Sequence, residues 1–480
     1  MQAPFYFFSR LMFSTLSQTD CSFGSLENYF VIASAFFYLI IALVYLRLLL
    51  QLFNIKALVI NYLQVILVLS TPVLHYVNID ASYSHIYSLF AVTLFLYYVR
   101  NYFLFRLPYY FYLSMVFLGL IFLIRPFNIV ILLLVPGMAN SPKSMKLAFG
   151  SLFSNLRMLF LGCLIVLTVS SIQFVLWYLQ TGYWMLDSYP GEKFNFSNPQ
   201  IIEYLFGYQK GLFVYTPVLF IMFMSIIVQL FKSHYKMLWY MVSFLIVIFY
   251  IQSCWWSWSY GSSFGMRPFI EFYPVLFISF GLIFSNLQFL GKSIFIFITL
   301  LTIPLNIIQA YQYKNYILNW DGMTKKTYWE VFLRTSEKFS GLAWKQNADI
   351  SNYVKRYELF CHEVLSIKQL TGEKIFVSDS ISSMNQKVDL MRISFINNFD
   401  IENETEIIIS ISKDGKNLFW RSIPVIQFRQ ESLNLTHTGF YDVKIPHLDD
   451  LSEYNFDVEA LAKNNSDVLR IIKIELFSLK

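Results

Sequence analysis

The sequence predicts a mainly α-helical, polytopic membrane domain followed by a soluble C-terminal β-sandwich. Three observations lead to that class. The 480 residues are 56% hydrophobic and only 14% charged, with a mean hydropathy of +0.52, far more apolar than an ordinary soluble domain. Apolar tracts long enough to cross a bilayer recur through the first two thirds of the chain. From about residue 373 short alternating segments separated by turn residues replace them.

The apolar tracts lie near 29–53, 58–77, 85–104, 109–124, 127–138, 158–179, 212–231, 236–253, 270–286 and 293–312. The fifth is short and forms a broken or re-entrant pair with the fourth, because Arg125-Pro126 interrupts the helix between them. Alternate loops carry Arg47 and Lys56, Arg100 and Arg106, Lys143, Lys146 and Arg157, Lys232 and Lys236, and Lys292. The positive-inside rule puts these in the cytoplasm. Asp20, Glu27, Asp80, Asp187, Glu192, Glu203 and Glu271 then face out, as do both chain ends.

The opening MQAPFYFFSRLMFSTLS lacks the layout of a signal peptide. It suits a helix lying in the interface or a re-entrant element, with a weak first span as the alternative. Cys21, Cys163, Cys254 and Cys361 show no metal-ligand or redox spacing, and Cys163 is expected in the core. The net charge of +6 is scattered in pairs, with no basic stripe that would suit nucleic acid.

The chain divides into a membrane domain over 1–316, an amphipathic helical linker at the membrane surface over 317–372, and an extracytoplasmic β-sandwich over 373–480. TYWEVFLRT and YVKRYELFCHEVL supply the linker helices. KIFVS, DLMRISFI, TEIIISIS, NLFWRSIPVIQF, FYDVKI, NFDVEALA and VLRIIKIELF read as strands. Lys413 to Lys416 gives an Asp-Gly hairpin turn and Lys463 to Ser466 a second turn.

Polar residues inside or beside membrane spans are functional candidates, since burying them unpaired costs several kcal/mol. Four clusters qualify. HYVNIDASYSH, from His75 to His85, sets Asp80 near histidines, a pattern for a general base with its orienting partner or for holding phosphate or metal; a solvated turn is the alternative. IRPFN places Arg125 at a membrane edge, as a phosphate ligand or a snorkelling structural arginine. YLFGYQKGLFVYTP sets Lys210 between Gly207 and Gly211, as an anion partner or part of an interfacial belt.

The fourth cluster is CWWSWSYGSSFGMRPFIEFYP. Trp255, Trp256 and Trp258 suit either an aromatic belt or a sugar platform. Arg267 suits a phosphate, and Glu271, four residues on, is placed to pair with it on one helical face.

SHIYS, IRPFN, YQKGLFVYTPVL, WWSWSYGSSFGMRPFIEFYP and ILNWDGMTKKTYW occur in an order that resembles the GT-C superfamily of integral membrane glycosyltransferases. The particular likeness is to bacterial proteins similar to dolichyl-phosphate-mannose protein mannosyltransferases, over roughly residues 1–330. The resemblance implies a catalytic cavity formed by outward loops and a polyprenyl-phosphate sugar as donor. The acceptor is an extracytoplasmic glycan, lipid or protein, with a divalent metal optional and no nucleic acid involved.

It also implies Arg125, Lys210 and Arg267 at the lipid phosphate, Asp80 and His85 near the catalytic centre, and Glu271 orienting Arg267. The tryptophans 255, 256 and 258 stand beside the sugar. QAPFYFFSRLM resembles the segment after the family's first outward loop, so the expected first helix and its acidic residue are missing from this sequence, and Asp20 matches a later position. The setting implied is the plasma (inner) membrane. Rival readings are a flippase or transporter for polyprenyl-linked sugars, and an inactive truncated relative that binds glycan.

Overall fold

The computed structural model describes residues 1–15, 25–186, 192–230, 236–315, 317–320, 322–336, 339 and the strands given below. The chain divides into two compact units, Met1–Lys314 and Asn315–Lys480. The first is helical. In chain order it contains α1 (Ala3–Thr15), α2 (Ser25–Gln51), α3 (Ala57–Leu69), α4 (Val73–Asn78), α5 (His85–Phe105) and α6 (Pro108–Ile124). A 3-10 helix over Pro126–Met138 leads to α7 (Pro142–Ser154) and α8 (Leu156–Thr181). Then come α9 (Ile201–Phe206), α10 (Leu212–Tyr215), α11 (Pro217–Leu230), α12 (Lys236–Ser253), a second 3-10 helix over Arg267–Phe272, α13 (Tyr273–Asn286) and α14 (Phe289–Lys314).

Among the described residues five helical stretches are long and apolar enough to cross a membrane: Glu27–Gln51, His85–Phe105, Leu156–Thr181, Arg267–Asn286 and Phe289–Lys314. Shorter apolar helices fill the remaining predicted tracts. This is a membrane protein by its helices. The 13 described residues of α1 are not among those five stretches.

Prolines set most of the interruptions. The predicted 58–77 tract breaks between α3 and α4, where Thr71 turns its hydroxyl back to the Leu67 carbonyl at 2.5 Å ahead of Pro72. The 212–231 tract breaks at Thr216, whose φ of −137° and ψ of 67° lie outside the α region that a following proline disfavours. Arg125 is extended before Pro126, and the tract that follows is a 3-10 helix throughout.

The centre of this unit is α5. Most of it is buried against α2, α6, α13 and the two 3-10 helices, and 78% of its apolar window is enclosed, against 11% for α8. The peripheral position of α8 corrects the expectation for Cys163, which is exposed. α8 packs through one narrow face, where Gly162 lies so close to Phe111 that an added Cβ would meet the ring at 2.5 Å.

The second unit opens with α15 (Lys325–Val331), capped by the Thr324 hydroxyl accepting from the Thr327 amide at 3.4 Å. The predicted helix over TYWEVFLRT ends here at Val331, and Leu333 adopts a left-handed φ of 58°. The strands are β1 (Tyr357–Glu358), β2 (Lys368–Leu370), β3 (Ile375–Phe376), β4 (Val388–Asn397), β5 (Glu406–Lys413), β6 (Lys416–Pro424), β7 (His437–Leu448), β8 (Asn455–Leu461) and β9 (Leu469–Leu479). They pair antiparallel in two sheets, one ordered β1-β9-β4-β7 with β2 also on β9, the other β3-β8-β5-β6.

Two expectations are corrected. Tyr357–Glu358 and Lys368–Leu370, expected in the helical linker, are strands, because the long edge of β9 offers their backbones ladder partners that override local preference. The other residues of YVKRYELFCHEVL lie outside the described residues. Lys463 to Ser466 lie outside the described residues, and the strands on either side, β8 and β9, belong to different sheets and so are not a hairpin pair. The Lys413–Lys416 turn does join a hairpin, with those two residues paired in register between β5 and β6.

Candidate functional site

The site forms where the start of α5, the Arg125 break and the second 3-10 helix meet. Glu271 is fully buried at its centre. Its Oε2 lies 3.1 Å from His85 Nδ1, and its Oε1 accepts from Arg125 Nη1 at 3.0 Å and from Asn128 Nδ2 at 3.1 Å. Asn128 Nδ2 also donates to Ser88 Oγ at 2.7 Å, one helical turn beyond His85. Three donors thus converge on the Glu271 carboxylate from residues 143 to 186 positions away.

His85 Nδ1 is also 3.0 Å from Arg125 Nη1. One ring nitrogen cannot both donate to the carboxylate and accept from the guanidinium. Because Arg125 already donates to Glu271, the consistent assignment has Nδ1–H donating to Oε2. That network compensates the desolvation of a completely buried carboxylate, which alone would be prohibitive. Asn128 Oδ1 is buried, with no hydrogen-bond partner among the described residues.

The expected pairing of Arg267 with Glu271 is not found. Residues 267–272 form a 3-10 helix, in which positions three apart eclipse and positions four apart are rotated by about a third of a turn. Glu271 therefore turns inward to Arg125 while Arg267 lies on another face. The Arg267 guanidinium stacks over the Tyr83 ring at 4.6 Å, and its hydrogen bond is a long one of 3.4 Å to the Ser262 carbonyl. Among the described residues its other N–H groups have no hydrogen-bond partner, and stacking on an aromatic face leaves the planar fork ordered.

Asp80 and His85 do not pair. Asp80 instead accepts from His75 Nε2 at 2.8 Å; the His75 side chain is wholly buried, while that of Asp80 is a quarter exposed. Among the described residues His75 Nδ1 has no hydrogen-bond partner, and its ring packs on Tyr76, Phe264 and Tyr313. Tyr76 and Tyr83 touch the His85 ring as well, so the two histidines share one aromatic wall.

Lys210 is buried, with its ammonium donating to the Ser259 carbonyl at 2.9 Å and the Ser263 hydroxyl at 2.8 Å. Both contacts hold the loop that leads to Arg267, which makes Lys210 a brace behind that loop. Close backbone approach sets its place: a Cβ on Gly211 would lie 2.5 Å from the Gly207 nitrogen. Gly265 in the same loop has a φ of 59°, which a side chain resists.

The tryptophans separate. Trp255 packs edge-on to Phe194 and parallel to Tyr260, and the Tyr260 phenol feels the charges of both Arg125 and Glu271. Trp256 is largely exposed, and Trp258 is partly buried against the core beside Gly207. Burial is the main cause that holds the Tyr260 phenol well above its usual range, so it stays protonated and donates to the Gln252 carbonyl at 2.8 Å.

The structure brings parts of the first, second and fourth clusters together, and joins to them Ser88, Asn128, His75 and Tyr83, which sequence pattern does not single out as partners. Asn128 and Ser88 sat inside the quoted motifs, and an amide three residues past a membrane arginine was the signal that could have found the first. Among the described residues no three His, Cys, Asp or Glu side chains stand together as metal ligands would. Comparison with known protein families, curated proteins and solved structures finds no match.

Proposed function

We propose that the chain is a membrane glycosyltransferase of the GT-C kind, moving a sugar from a polyprenyl-phosphate donor to an extracytoplasmic acceptor. The observation that carries this reading is the Arg125, Glu271, His85 and Asn128 cluster, with Arg267 stacked beside it on Tyr83. The motifs behind the family resemblance contribute a fixed ion network and an adjacent available guanidinium. A phosphate leaving group needs positive charge near it more than it needs a strong acid.

In this reading the acceptor oxygen attacks the anomeric carbon as the bond from that carbon to the phosphate oxygen breaks. The bonding pair leaves with polyprenyl phosphate, whose charge Arg267 meets bidentately. Asp80, held by His75, takes the acceptor proton. Glu271 neutralises Arg125 and fixes His85, Trp255 offers an apolar face for the sugar through its contact with Tyr260, and Lys210 keeps the loop in place. The two sheets of the second unit serve as a glycan-binding sandwich outside the plasma membrane.

The test is Arg267→Ala. Transfer of labelled hexose from its polyprenyl phosphate, assayed in membranes, falls at least about a hundredfold, with the amount of inserted protein unchanged. Full transfer by the variant removes Arg267 from the site. Movement of the intact labelled donor between leaflets, with no glycosylated product, replaces the enzyme reading with the transporter one.

A further inference from the structure

The helix α1 carries three exposed apolar side chains that the reading above does not use. Phe7, Phe8 and Leu11 are each more than half exposed. The opposite side is tied down at three places. Gln2 Nε2 donates to the Ser82 carbonyl at 2.9 Å and the Tyr87 hydroxyl at 3.1 Å, with the Ala81 carbonyl at 3.4 Å. Tyr38 donates to the Met1 carbonyl at 3.3 Å. Arg10 Nε pairs with the buried Glu27 carboxylate at 3.2 Å.

Two features say what covers the exposed face. The first is extent: the 13 described residues of α1 rise about 20 Å, against a hydrocarbon core of about 30 Å. The second is continuity. Phe5 and Phe8 pack on Phe37 and Phe30 of α2, a candidate membrane span, at ring distances of 5.6 and 5.7 Å. That span exposes Tyr29, Phe36, Phe37 and Ile40. The apolar surface of α1 therefore extends the surface by which α2 meets lipid.

We propose that α1 lies in the headgroup region of the bilayer, with Phe7, Phe8 and Leu11 seated on lipid, and that through Gln2 it braces the 79–84 loop that bears Asp80. The occupant is the lipid surface. A membrane-seated helix hydrogen-bonded to two loop carbonyls restrains that loop without touching Asp80 itself.

Phe8→Trp in the full chain, reconstituted into phosphatidylcholine vesicles, tests this by difference emission against the unsubstituted protein. With bromines placed near the headgroup, the added emission falls by about half, and it falls less with bromines near the bilayer centre. Leu11→Trp gives the same ordering, and serves alone if the first variant fails to insert. Stronger quenching by the deep bromines would overturn the proposal in favour of a spanning helix. Quenching by aqueous acrylamide but by neither lipid would overturn it in favour of a solvent face, and protection from all three in favour of a protein contact.

Discussion

The first unit holds two histidine-carboxylate pairs whose histidines lie ten positions apart in the sequence and share an aromatic wall, yet they are built for different work. In His85–Glu271 the carboxylate is sealed and takes three partners from two segments. In His75–Asp80 the histidine is sealed, and the carboxylate reaches partly to the surface with one oxygen held at 2.8 Å. The first pair fastens helices together; the second presents an oriented carboxylate. The contact distance is similar in both, so which member is buried decides the role.

The contrast breaks most sharply at Glu271. Glu271→Ala leaves Arg125 without its carboxylate and costs about 3–5 kcal/mol, read as a fall in the thermal midpoint of the detergent-solubilised protein. Asn128→Ala removes one donor each from Glu271 and Ser88 and costs about 1–3 kcal/mol in the same measurement. Asp80→Asn keeps the shape of the outer pair, and we expect the midpoint to shift by less than about 1 kcal/mol. Hexose transfer by that variant falls about a hundredfold or more. An Asp80 variant as unstable as the Glu271 variant would erase the distinction between the two pairs.

Legibility followed the range of the interactions. The apolar tracts were readable because crossing a bilayer depends on length and composition within one stretch. Pro126 was readable as an interruption and Pro268 as the start of a helix, whereas Pro72 and Pro217 lay inside tracts read as continuous. That Pro126 and Pro268 lead 3-10 helices while Pro72 and Pro217 sit at breaks between α-helices was not readable, because packing against α5 and α12 selects the geometry. The pairing of Arg267 with Glu271 failed for that reason: four residues share a face only in an α-helix. In the second unit alternation marked the strands, but nothing local separates β8 from β9 into two sheets.

The sequence by itself determined that this is a membrane protein of many apolar helices with a strand-rich tail, and which segments carry unusual polar side chains. Those properties belong to single stretches of chain and need no partner. Only the tertiary structure decided that Glu271 belongs to Arg125 and His85, that Asp80 belongs to His75, and that Lys210 supports a loop. A buried charge takes whichever partner the fold brings within about 3 Å, and these partners come from parts of the chain that sequence spacing does not relate.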